Sequence, residues 1–144
     1  METILVSACL LGVCCRYDDG GKDCPALTRL MGAYQLIPVC PEQLGGLSTP
    51  RPPAEIVGER VMNKAGEDVT GAFERGAQET LRLARLYGAQ TAILKERSPS
   101  CGAAQVYDGS FSGVLRDGKG ITATLLIETG IRVLGESEIG RLQG

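Results

Sequence analysis

The chain has 144 residues, 43% of them hydrophobic and 22% charged, with a formal net charge of −2, a composition ordinary for one globular domain with its own core. It has no dense Lys/Arg run, which argues against duplex nucleic acid or an anionic membrane as the main partner, because both demand a basic footprint. Histidine is absent, so proton transfer falls to Glu, Asp, Lys, Tyr, Ser or Cys, and any metal site must be rich in sulfur or oxygen.

The opening METILVSACLLGVCC is interrupted by Ser7 and followed by Arg16-Tyr17-Asp18-Asp19 with no positive segment before it, unlike a signal peptide. No stretch reaches the roughly 18–20 apolar residues of a membrane span. The expectation is a cytoplasmic monomer in which residues 1–144 form a single domain. In that compartment the six cysteines are not three disulfides; metal binding, catalysis or burial remain.

Thr3–Ser7 (TILVS) reads as a strand buried on both faces. Cys9–Cys24, rich in Gly, Asp and Cys, reads as a loop, and Pro25 opens a short helix through Ala33. Gln35–Val39 is a second strand ending near Cys40. In PEQLGGLSTPRPP, residues 41–53, two glycines and four prolines in thirteen residues exclude a regular element, and so long a loop is uncommon unless functional. Glu55–Val69 reads as a hairpin turning at Lys64–Glu67. Thr70 caps a helix over Gly71–Tyr87, with Phe73, Ala77, Leu81, Ala84 and Tyr87 on its apolar face, Glu74, Arg75, Arg82 and Arg85 in solvent, and Gly88 as its stop. Gln90–Leu94 is the third strand and runs into KERSPSCG. Tyr107–Gly120 is a turn-rich excursion, Gly120–Thr129 a helix, Ile131–Leu134 a fourth strand and Glu136–Leu142 a terminal helix. Strands alternating with helices predict an α/β fold, a small Rossmann-like domain with a mainly parallel sheet and helices on both faces.

Three cysteines share one address in that scheme: Cys9, Cys40 and Cys101 each follow a strand. The carboxyl ends of parallel strands lie along one edge, so the three thiols can meet. Structural zinc usually shows C-x-x-C pairs and a full tetrahedral donor set, and this chain has no such pair. Iron–sulfur clusters are also held by thiolates from separated positions. Burial as small apolar side chains is the plain alternative. Cys15 reads as a fourth ligand, a thiol near the cavity or packing; Cys14 as packing or incidental exposure; Cys24 as structural.

The stretches VSACLLG (6–12), RYDDG (16–20), PVCPEQLGGLSTPRPP (38–53), LKERSPSCG (94–102) and YDGSFSG (107–113) together resemble the thiouracil desulfidases, in that family's order and over most of the chain. The resemblance implies a 4Fe-4S cluster held by Cys9, Cys40 and Cys101 alone, with one iron open to take sulfur from a thiolated nucleobase. It implies an acid/base role for Glu42 and a catalytic serine in SPSCG, placed at Ser98 with Ser100 the runner-up. Family members read RYDG where this chain reads RYDDG, so Asp19 is an inserted residue that alters that loop. Arg51, Asp18 and Ser100 are candidates for contact with the base, although Arg51 also reads as a surface charge and Asp18 as a structural partner of Arg16. Glu42 has a structural alternative in pairing with Arg51 or Lys95, and Ser98 in stabilising its turn. Tyr107 and Phe111 read either as core or as stacking surfaces. The expected activity is non-redox desulfuration of a free thiolated base such as 2-thiouracil; the acidic balance disfavours intact RNA. A non-catalytic iron–sulfur or zinc module that relays sulfur is the alternative, and a cysteine-nucleophile enzyme using Cys101 is a third.

Overall fold

A computed structural model describes residues 1–143. In chain order the elements are β1 (Glu2–Ser7), α1 (Pro25–Thr28), β2 (Tyr34–Val39), α2 (Pro41–Leu44), β3 (Ala54–Val57), β4 (Arg60–Asn63), α3 (Thr70–Tyr87), β5 (Thr91–Leu94), β6 (Gln105–Tyr107), β7 (Leu115–Asp117), α4 (Ile121–Glu128) and β8 (Arg132–Gly135). Short 3-10 turns cover Ala8–Leu11, Arg29–Gly32 and Glu136–Gln143. The four sequence-predicted strands form a parallel sheet in the order β2-β1-β5-β8. Among the described residues, no helix is long and apolar enough to cross a membrane.

The sheet is covered on both faces, which is why its strands read as continuous apolar runs. On β1, Ile4, Leu5 and Val6 are all fully buried. Leu5 joins Ala92 and Leu94 beneath Leu81 and Ala84 of α3 and Ala123 and Leu126 of α4. Ile4 and Val6 join Ile93 and Leu134 on the other face, against Leu10 and Leu27. Such alternation follows from the two-residue period of a strand. A third apolar group, Ile56, Val61, Phe73 and Val106, fastens the hairpins β3–β4 and β6–β7 to α3.

Several local expectations change. Within 41–53 one helical turn forms after all, with Pro41 at its first position and Cys40 as its N-cap. Tertiary packing holds it. A Cβ on Gly76 would stand 1.9 Å from the Pro41 carbonyl oxygen, and one on Gly45 equally close, 1.9 Å, to that of Ala72. The hairpin turns first at Gly58–Glu59, where Gly58 takes φ +61°. The Lys64–Glu67 turn is a second reversal, closed by the Asn63 N–H donating to the Glu67 carbonyl at 2.9 Å. Thr70 is inside α3 rather than its cap; Asp68 Oδ1 accepts its N–H at 3.0 Å and its hydroxyl at 2.6 Å. Tyr87 is exposed, since the buried stripe 73-77-81-84 advances to Gly88 at its next step of four. The 107–120 excursion contains β6–β7 pairing. Asp19 lies in a tight turn: its φ is +63°, and Arg16 exchanges backbone hydrogen bonds with Asp19 and Gly20.

Candidate active site

Each of the three thiols arrives by a different local device. Cys9 lies in the 3-10 turn that directly follows β1, and its carbonyl accepts the N–H groups of Gly12 (3.1 Å) and Lys22 (2.7 Å). Cys40 is extended and opens α2, whose place is fixed by the glycine contact with α3. Cys101 sits in a turn built on Ser98, whose Oγ accepts the N–H of Ser100 at 3.1 Å and of Cys101 at 3.0 Å. Ser7 locks the strand ends together, its Oγ accepting the Lys95 N–H at 2.8 Å. The three cysteines line one cavity of about 670 Å³ at the carboxyl edge of the sheet. That edge, between β1 and β5 where successive crossovers diverge, is where open α/β sheets bind ligands.

Without a cation the Cys40 and Cys101 thiols hold their protons. Burial pushes Cys101 up to about 12, against hydrogen bonds from Ser7 and Ser100 that favour the thiolate. Cys40 is raised well above the ordinary thiol range by its hydrogen bond with Cys15 and by burial. Cys15 is raised too: the hydrogen bond to Cys40 pulls it down, but the contact with Cys9 and burial outweigh that pull. A cationic metal centre would supply the missing compensation and draw off the protons. The donor set is soft and sulfur-rich, as iron–sulfur clusters require. Among the described residues no three Cys, Asp or Glu side chains converge tightly enough for a single ion.

Glu42 and Ser98 also line this cavity. Glu42 Oε1 accepts from Arg51 Nε at 3.0 Å, and its second oxygen has no hydrogen-bond partner among the described residues. Arg51 is no surface charge. Its side chain is 6% exposed, and it donates to the carbonyls of Ser48 (3.1 Å) and Cys15 (3.0 Å) and to Thr49 Oγ1 (3.0 Å). Its backbone N–H also reaches the Tyr17 carbonyl at 2.8 Å. Arg51 thus straps the 12–24 loop to the acid on α2. Since Ser98 Oγ accepts two backbone donors, its own O–H remains to donate.

Two substrate-binding candidates are not brought to the cavity. Ser100 is buried behind the turn, paired with Thr122 at 2.7 Å and close to the Cys101 thiol. Asp18 faces outward, accepting the Gly20 N–H at 3.0 Å and sitting 3.7 Å from Arg16. Cys14 is exposed, while Cys24 is half-buried and packed beside the core. Cys15, 2% exposed, stands among the thiols that line the cavity; no local sequence signal separated it from Cys14. Sequence reasoning passed over Glu136, which pairs with Lys95 at 3.1 Å on the cavity wall. It is the first residue after β8, so the strand-end rule that located the cysteines also points to it. Tyr107, Phe111 and Glu55 also line the cavity, brought there by the hairpins and the loop between β6 and β7.

The model of the 2-thiouracil desulfurase family matches residues 4–138. The chain belongs to that family. A solved structure of the 4Fe-4S-dependent thiouracil desulfidase TudS superimposes with a TM-score of 0.94 at 46% identity, covering 99% of this chain and 96% of that one. The uncharacterized protein YbbK of Bacillus subtilis (strain 168) is 42% identical over 146 residues, spanning 94% of this chain and 97% of its own. The α/β fold predicted from the sequence agrees with the TudS match, as does the resemblance to the desulfidases. In this desulfurase-family chain, the thiols of the motifs and the shared cavity lie on the same edge of the sheet.

Proposed function

We propose that this protein converts a free thiolated pyrimidine, 2-thiouracil or 4-thiouracil, to uracil with release of hydrogen sulfide, and that Cys9, Cys40 and Cys101 hold a 4Fe-4S cluster in its cavity. The observation that carries this reading is the delivery of three thiols to one cavity that an acid and a hydroxyl also line. The name of the TudS structure supports the cofactor. When bound, a cluster with three protein ligands supplies an open iron that acts as a Lewis acid toward sulfur.

The chain's own residues account for the rest. The free oxygen of Glu42 takes a proton from the water that attacks the C=S carbon, and returns it to the departing sulfur. Arg51 fixes that carboxylate by an ion pair, so its angle to the cavity is preset. Ser98 donates its remaining O–H to the water or the ring. One water enters and one hydrogen sulfide leaves, so no electrons are consumed. Anaerobic reconstitution with iron and sulfide should load about four irons per chain, and the same sample should release sulfide and uracil from 2-thiouracil. A protein that takes up one zinc and leaves thiouracil intact would overturn the proposal.

A further inference from the structure

The hairpins bring to the cavity a carboxylate whose position is over-determined for a merely structural task. Glu55 lies on β3 next to Ile56, which is buried in the core beneath the hairpins, so strand alternation turns Glu55 to the opposite face, where it lines the cavity. Its Oε1 accepts two backbone N–H groups from the β6–β7 loop, Gly109 at 3.0 Å and Phe111 at 3.1 Å. A Cβ on Gly109 would stand 2.7 Å from the Ile56 carbonyl oxygen, so the loop rests directly on β3. Phe111 is held at φ +56°, a left-handed conformation uncommon for an aromatic residue and a mark of functional sites when the surroundings enforce it. Phe111 lines the same cavity. Oε2 of Glu55 has no hydrogen-bond or ion-pair partner among the described residues.

We infer that Glu55 determines specificity by accepting a ring N–H of the pyrimidine through Oε2, while its Oε1 holds Phe111 as the surface on which that ring stacks. The inference rests on the thiouracil reading of the cavity. An ionised carboxylate only accepts, and a uracil-type ring presents two N–H donors. The resulting bond is charge-assisted, and base-on-aromatic stacking tolerates either thio isomer. Closing the loop needs one oxygen. The second is what a ligand would use.

The test pairs turnover with binding on cluster-loaded protein. Affinities for uracil, N1-methyluracil and N3-methyluracil are measured by calorimetry, alongside KM and kcat for 4-thiouracil. One of the two methylated bases should bind about tenfold more weakly than uracil, because a site built to bond an N–H rejects the analogue lacking it. Glu55→Gln keeps a carbonyl oxygen for the loop but presents an amide donor to the ring; KM should rise about tenfold, more than kcat falls, and the discrimination should vanish. Phe111→Leu should weaken all three bases alike. Turnover with equal affinity for all three bases, or discrimination surviving Glu55→Gln, would overturn the assignment of Glu55 and leave desulfuration standing. Uracil binding that needs the N–H, in a protein that releases no sulfide, would support Glu55 and sink the desulfidase reading instead.

Discussion

Cys9 and Cys40 reach the cavity directly after the ends of β1 and β2, and Cys101 in the turn that follows β5, whereas Glu55 and Phe111 reach it from two antiparallel hairpins that lie outside the sheet. The first group is placed by the sheet, since parallel strands end along one edge whatever their loops contain. The second is placed by contacts fifty or more positions apart, such as Glu55 to Phe111, a separation of 56. On the proposed reading, a floor at the sheet's edge would carry the chemistry and a wall supplied by the hairpins would carry recognition. Changes to the floor should therefore abolish chemistry, and changes to the wall should alter selectivity or stability by smaller amounts.

The largest effect is expected at the floor. Cys40→Ser should lower bound iron well below the wild-type content and remove measurable desulfuration, because a hydroxyl replaces a soft thiolate. Cys15→Ser should retain iron, since the strap from Arg51 uses the Cys15 carbonyl and not its thiol. Iron analysis of the two variants reconstituted side by side separates a three-thiolate set from a four-thiolate one. Glu42→Gln comes next. The amide oxygen can still accept from Arg51, so iron content should match wild type while kcat falls about 10²–10⁴-fold, the usual worth of a positioned acid/base group. An unchanged kcat would reduce Glu42 to a partner for Arg51.

The middle of the range concerns how the floor is held. Gly71 and Gly76 both lie in α3, so the same replacement by Ala carries the same intrinsic helix gain of roughly 1 kcal/mol. A Cβ at Gly71 meets nothing within 4 Å, whereas at Gly76 it meets the Pro41 carbonyl oxygen at 1.9 Å. Gly71→Ala should raise the thermal midpoint by a few degrees. Gly76→Ala should lower it by several, an overpacking cost of about 1–3 kcal/mol, and should also lower iron retention, because Cys40 opens the helix that must move. Equal shifts in the two variants would show that the α2–α3 contact yields without strain.

What the sequence made legible divides along the same line. The four strands and α3 were readable because burial on both faces, or on one stripe, leaves a local pattern. Three strand-end cysteines followed from topology alone. The turn of α2 was not read because the prolines and glycines of 45–53 mask it, although Pro41 at its first position suits a helix and the glycine contact with α3 packs it. Ser98 and Ser100 look alike in SPSCG, yet one accepts two N–H groups at the cavity wall and the other pairs with Thr122 in the core. Turn geometry chooses between them. Asp18 was not placeable for a similar reason, since an Asx-type bond to Gly20 turns it outward.

The smallest expected effect lies in the hairpin layer and tests whether that layer merely anchors the wall. Asp68 accepts from the Thr70 hydroxyl and N–H and from Arg60, and these bonds, led by the Thr70 hydroxyl, hold its carboxyl down at about 2. A lowered folded pKa makes the unfolded chain bind the proton first as acid is added. Its contribution is therefore complete above the unfolded value of about 4 and fades as pH falls through about 2. Because Asp68 is exposed, solvent screening keeps the contribution small. Asp68→Asn should flatten the loss of stability between pH 4 and 2, read from urea midpoints across that window, and should leave KM for 4-thiouracil unchanged at neutral pH. If KM rose with the loss of that bond, the hairpins would be coupled to the base-reading wall through α3 and Phe73, which share one apolar cluster with Ile56 and Val106, and recognition would depend on the whole layer rather than on Glu55 and its loop.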